Sequence, residues 1–116
     1  MKRSTQQISE LLNNKSSVYS ATFIFRLKNQ DSEFERLNDI IDQVANANPG
    51  FLGKEGWSNN EENKRSVVYY WYSLDALKRF SNYPDHQKAK QKYKKWYSGY
   101  EVIISKVITV KSDDGL

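Results

Sequence analysis

A chain of 116 residues has room for a single domain, and it contains no cysteine and one histidine. That composition excludes disulfides, thiolate nucleophiles and clustered Cys/His metal sites. The formal charge of +4 is too small to identify an anionic partner, whereas 14 % aromatic residues within 38 % hydrophobic ones place much of the core or a pocket wall on Phe, Tyr and Trp.

The opening MKRSTQQISELLNN is basic but lacks the apolar stretch of a secretory signal. The longest apolar runs, about six residues, fall far short of the roughly 20 that span a bilayer. The expected setting is the cytoplasm, with no membrane partner. Residues 1–17 are expected to form an N-terminal extension with a helical turn or two on Ile8, Leu11 and Leu12. Residues 18–110 form the domain, and residues 111–116 a loose tail.

VYSATFIFRL (18–27) alternates, with Tyr19, Ala21, Phe23, Phe25 and Leu27 on one side and Ser20, Thr22, Ile24 and Arg26 on the other, which predicts a strand. Asp31 and Ser32 open a helix, with Ser32 and Glu35 spaced as a capping box. Phe34, Leu37, Ile40, Ile41 and Val44 recur at helical spacing until Asn48-Pro49-Gly50 ends it. GFLGKEGWS (50–58) predicts a glycine-broken strand, NNEENK (59–64) a hairpin loop and SVVYYWY (66–72) an aromatic strand. Ser73 caps a short helix carrying Leu74, Leu77 and Phe80. After Tyr83-Pro84 a second helical piece runs from 85 to about 97, and YEVIISKVITV (100–110) is the last strand.

The order β-α-β-β-α-β predicts an α+β, ferredoxin-like fold, an antiparallel sheet with the helices on one face. The first helix is acidic and the last is rich in lysine, so the two attract when laid side by side. The third strand carries Val67, Tyr69 and Trp71 on one side and Val68, Tyr70 and Tyr72 on the other, and the last strand is apolar on both sides too. A strand exposed on one face should alternate with polar residues. The two-sided pattern therefore predicts a homodimer that buries the open sheet face.

Gly50, Gly53 and Gly56 are followed by no GK[ST] and stand in no strand–GxGxxG–helix order, so they read as turn and bulge residues rather than a phosphate loop. The lysine run reads as a solvated helix face. An RNA-recognition motif shares the element order, but RSVVYYWYS has no glycine inside the strand, and no nucleic-acid partner is expected. In SNYPDHQKAKQKYKKWY (81–97), His86, Ala89, Tyr93, Trp96 and Tyr97 fall on one stripe, with the lysines outside it. Position near a helix N-terminus keeps that histidine neutral. Two roles stay open: a hydrogen-bonded member of a cap or pocket wall, or a base and ligand-binding group.

PGFLGKEG (49–56), YYWYS (69–73), LDALKRF, YPDHQKAK and KKWYSGYEVIISKV together resemble the antibiotic-biosynthesis monooxygenase family, over about 18–110. The resemblance implies a dimeric α+β barrel in which two ferredoxin-like sheets pack face to face, with a pocket in each subunit between sheet and helices. It implies oxygenases that convert polycyclic phenols to quinones without metal or flavin, alongside members that bind and degrade haem. The haem-degrading constellation of Asn, Trp and His has no match here: its positions fall on Phe80, about Lys90 and an Asn-free first strand. No cofactor is therefore expected, although His86 is left as a residue able to ligate haem. For a cofactor-independent oxygenase acting on a small aromatic compound, the resemblance implies His86 as base, Trp71, Phe80 and Phe23 as pocket walls, and Tyr93 or a strand tyrosine as hydrogen-bond donor. The alternatives are a haem-binding relative and a non-catalytic module for a small molecule or RNA.

Overall fold

The computed structural model describes residues 5–116, apart from the Asp85 side chain; residues 1–4 of the expected extension lie outside the described residues. The elements run α1 (Thr5–Asn13), β1 (Tyr19–Leu27), α2 (Ser32–Ala47), β2 (Phe51–Asn59), β3 (Lys64–Trp71), α3 (Leu74–Ser81), α4 (Pro84–Gln91), α5 (Tyr93–Trp96) and β4 (Tyr97–Lys106). The strands make one antiparallel sheet in the order β2-β3-β1-β4. With α2 to α5 on one face, this is the ferredoxin-like α+β fold that the element order implies.

Register explains where the core sits. Tyr19 pairs with Trp71, and Ala21 with Tyr69, so the odd-numbered side chains of β1 and β3 share the helix-covered face. At one end Trp71, Phe51 and Phe80 pack with Ala45, Ala76 and Leu77. At the other end Phe34, Leu37 and Trp96 pack with Leu27, Ala89 and Tyr97. Each large apolar side chain buried in these clusters contributes about 2–3 kcal/mol.

Local chemistry sets the helix boundaries, with one correction. The cap of α2 is Asp31, not Ser32: the Phe34 amide donates to Asp31 Oδ1 at 2.8 Å. Ser73 caps α3 as its sequence position indicates, accepting from the Ala76 amide at 3.1 Å. The Asn48-Pro49-Gly50 turn is pinned to α3. Asn48 Nδ2 donates to the Ala76 carbonyl at 3.0 Å and the Gly50 amide to Asn48 Oδ1 at 2.9 Å. Here glycine is required by a close approach, because a Cβ at Gly50 would collide with the Ala76 methyl.

Three further differences from the sequence reading have physical causes. The helical piece expected over 85–97 is interrupted at Lys92, which separates α4 from α5. β4 begins at Tyr97, because the Trp96 carbonyl accepts from the Lys28 and Asn29 amides at 2.8 and 3.3 Å and draws the chain into the sheet early. It ends at Lys106, after which Val107 and Val110 turn onto α1.

The extension itself folds as a nine-residue helix, about two and a half turns. Its Ile8 is fully buried and meets Val18, Leu52, Tyr70, Val107 and Val110 on the sheet face opposite the other helices. At one end, therefore, the chain itself covers the face that the two-sided strands leave open. The other end stays open, with Trp57 61 % and Ile103 42 % exposed beside Ile24 and Val68.

Candidate active site

Between the two core clusters on the helix-covered face, sheet and helices enclose a cavity of about 1020 Å³, open to solvent on one side. Phe23, Phe25, Val67 and Tyr69 supply the sheet wall, and Ile41, Phe80, His86, Ala89 and Tyr93 the helix wall. A concave apolar site with a few convergent polar groups is the usual form of a small-molecule site. A shallower depression between α1 and the C-terminal tail is polar and lacks such walls.

Four of the five residues expected at a pocket are there: His86, Phe80, Tyr93 and Phe23 all line the cavity. Trp71 does not. It is fully buried at the far end of the sheet, where α3 lies directly on it, and its ring stands 4.9 Å from that of Phe80, behind the wall. Alternation placed Trp71 on the correct face, but position along the strand decided between cavity and core.

Pro84 is the first residue of α4, which puts His86 in its first turn. The imidazole meets Phe80 edge to face, with centroids 4.6 Å apart. Burial, reinforced by the charge of Lys90 one turn on, pushes its pKa down to about 4, against a weaker opposite pull from the Phe80 carbonyl. The ring is thus neutral at pH 7, mainly through burial rather than the helix N-terminus. Its Nδ1 is buried and makes no hydrogen bond among the described residues. An unsatisfied buried polar atom costs about 1–3 kcal/mol.

A second polar group in the cavity escaped the sequence reading. Lys54 and Tyr69 face each other across β2 and β3, and α2 brings Asp42 over both. Lys54 Nζ donates to Asp42 Oδ1 at 2.7 Å, and the Tyr69 hydroxyl donates to the same oxygen at 3.3 Å. Burial, then the Asp42 charge, raises the Tyr69 pKa far above the ordinary phenol range, so its hydroxyl stays protonated. Nothing local in the sequence marks these residues; only the strand register joins them.

Tyrosines complete the aromatic lining. Tyr97 stands 5.4 Å from Phe23 and 5.3 Å from Phe25, and Tyr93 stands 5.0 Å from Tyr100, all edge to face. Burial pushes the Tyr97 hydroxyl up to about 12. Among the described residues, no group of three or more His, Cys, Asp or Glu could hold a metal ion, and no helix is long and apolar enough to cross a membrane. The aromatics of β3 do not form an exposed stacking platform: Trp71 is buried, and Tyr69 and Tyr70 pack under α2–α3 and α1.

The fold and this cavity define a ferredoxin-like α+β protein with a ligand-sized site between sheet and helices. The family model described as "Monooxygenase af470-like" matches residues 20–104, and the chain belongs to that family, in keeping with the antibiotic-biosynthesis monooxygenase resemblance of its motifs. YqjZ, an uncharacterised protein of Bacillus subtilis (strain 168), is 33 % identical over 91 residues, 77 % of this chain and 78 % of its own. Among solved structures, the N63A mutant of SnoaB, a cofactor-independent oxygenase from Streptomyces nogalater, superposes with a TM-score of 0.63. It is 15 % identical, over 85 % of this chain and 98 % of that one. A dimeric ferredoxin-like protein of unknown function from Thermobifida fusca YX superposes with a TM-score of 0.60 and 12 % identity, over 80 % of this chain and 93 % of that one. At these identities the two structures share the fold.

Proposed function

We propose that the protein is a cofactor-independent monooxygenase that oxidises a small, flat phenol- or anthrone-like compound with O₂. The observation that carries this reading is the neutral His86, whose unpaired Nδ1 is buried in the aromatic wall of the cavity. His86 takes a proton from the bound substrate. The resulting anion gives one electron to O₂, the two radicals combine in a new C–O bond, and loss of water leaves the quinone. One oxygen atom of O₂ stays on the carbon and the other departs in the water. The Tyr93 and Tyr97 hydroxyls are the donors available to the anion, and Phe23 and Phe80 sandwich the ring system.

Proton transfer to His86 is helped by the bound substrate itself, because an anion formed beside the ring raises the histidine's lowered pKa. The protein works in the cytoplasm as a homodimer joined through the open part of the sheet face, where Trp57 and Ile103 stand exposed; the dimeric Thermobifida fusca structure of the same fold supports that assembly.

The experiment is O₂ uptake over a panel of anthrones and acidic phenols. Wild type is expected to turn over at least one, and His86→Ala to fall by about 10²–10⁴-fold. No uptake with any panel member overturns the oxygenase reading, and undiminished turnover in His86→Ala removes that residue from the chemistry.

A further inference from the structure

We propose that Asp42 and Lys54, braced by Tyr69, form a hydroxyl-reading subsite at the end of the cavity away from His86. The inference rests on the reading of this cavity as a site for a flat aromatic ligand and adds the ligand's second point of recognition.

All three side chains line the cavity. Lys54 and Tyr69 both bond to Oδ1 of Asp42, at 2.7 and 3.3 Å, which leaves Oδ2 without a hydrogen bond among the described residues. The shared contacts fix the carboxylate's orientation, and the ammonium retains N–H donors beyond the one given to Asp42. A ligand hydroxyl can donate to Oδ2 and accept from Lys54 Nζ at the same time. A methyl ether cannot donate, and a carbonyl cannot donate either, so this acceptor–donor pair distinguishes a hydroxyl from both.

The geometry also sets an upper bound on the distance between the two ends. Phe80 stands 5.4 Å from the Tyr69 ring and 4.6 Å from the His86 ring, so those two ring centroids are no more than 10.0 Å apart. A bicyclic or tricyclic aromatic can bridge a separation up to that bound, with one hydroxyl toward His86 and another toward Asp42. The substrate class that fits is a fused-ring compound hydroxylated at both ends. Asp42 and Lys54 are specificity-determining residues, and Tyr69 is a positioning residue that acts through Asp42.

The test is equilibrium binding, read by quenching of protein fluorescence under anaerobic conditions, of 2,6-dihydroxynaphthalene, its monomethyl ether and 2-naphthol. Wild type is expected to prefer the dihydroxy compound over both others by about tenfold or more, the size of a hydrogen bond to a charged group. Asp42→Ala and Lys54→Met should reduce that ratio to near one, and Tyr69→Phe should lower it in part. Lys54 is partly exposed, so Lys54→Met keeps the test available if Asp42→Ala does not fold. Equal affinities in wild type, or an unchanged ratio in both Asp42→Ala and Lys54→Met, overturn the subsite. Because binding is measured without O₂, an intact ratio with no oxygen uptake would sink the oxygenase reading and leave the subsite standing. Turnover without discrimination would do the reverse.

Discussion

The indole nitrogen of Trp96 donates to Asp31 Oδ1 at 3.1 Å, across 65 positions of sequence. The same carboxylate caps α2 and pairs with Lys95 Nζ at 3.0 Å. The Phe34 amide, then Lys95 and Trp96, hold its pKa below the usual carboxylate value. One side chain thus closes the start of the first long helix against the end of the last helical segment.

Asp31→Ala removes the cap and strands a buried indole N–H at once. Both changes destabilise the fold, so urea denaturation should show a clearly lower midpoint for Asp31→Ala than for wild type. Trp96→Phe should cost clearly less if the cap dominates. Equal losses in the two variants would assign the effect to the tertiary bond instead.

His86 predicts an acid-labile fold. Its folded-state pKa, about 4, lies below the unfolded value of 6.5. Between those values the unfolded chain binds more protons, so stability is full above about pH 6.5 and declines as pH falls toward 4. The total loss is about 3 kcal/mol, with the ring's residual exposure making that an upper figure. His86→Phe should flatten this part of the curve in urea titrations from pH 7 to 4. A wild-type curve already flat there would contradict the depressed value.

Gly50 sits where α3 touches the start of β2. A methyl group there meets the Ala76 side chain, and crowding of a packed contact costs about 1–3 kcal/mol. Gly50→Ala should lower the thermal midpoint, and Gly50→Ala with Ala76→Gly should regain part of the loss, apart from the cost of glycine in a helix. No recovery in the double variant would place the strain elsewhere.

The open part of the sheet face predicts the assembly. Ile103→Asp puts a charge among Ile24, Val68 and Trp57 without touching the cavity face. Sedimentation should show a wild-type dimer become a monomer, with the far-ultraviolet spectrum retained. A wild type that sediments as a monomer at micromolar concentration would remove the dimer.

Much of the architecture was legible because it follows from local periodicity. Residues 19–27 alternate, Phe34, Leu37, Ile41 and Val44 repeat at helical spacing, and Ser73 is an N-cap by position; each of these is seen in the structure. What was not legible depends on partners far away in sequence. Ser32 fits the local capping pattern better than Asp31, but Lys95 and Trp96 draw Asp31 into the role. The helix α1 has only Ile8, Leu11 and Leu12 to show, and its burial depends on residues from four other segments. His86 and Tyr93 could be placed at the cavity by their shared stripe, and Phe80 and Phe23 through the family resemblance. Asp42, Lys54 and Tyr69 could not, because only the β2–β3 register brings them together.

The helix α4 contributes no fully buried side chain among those described and has no side-chain cap at its start. Its polar ties to α3 are few: Gln87 Nε2 to the Ser81 carbonyl at 3.1 Å, and Lys90 Nζ to Ser81 Oγ at 2.6 Å. Few buried apolar contacts mean a small free energy of local opening. The stretch that bears the histidine is thus readier to open than α2. Its amides should exchange with solvent ahead of those of α2, and traffic of bulky aromatics into the interior can use that slackness while the sheet stays rigid.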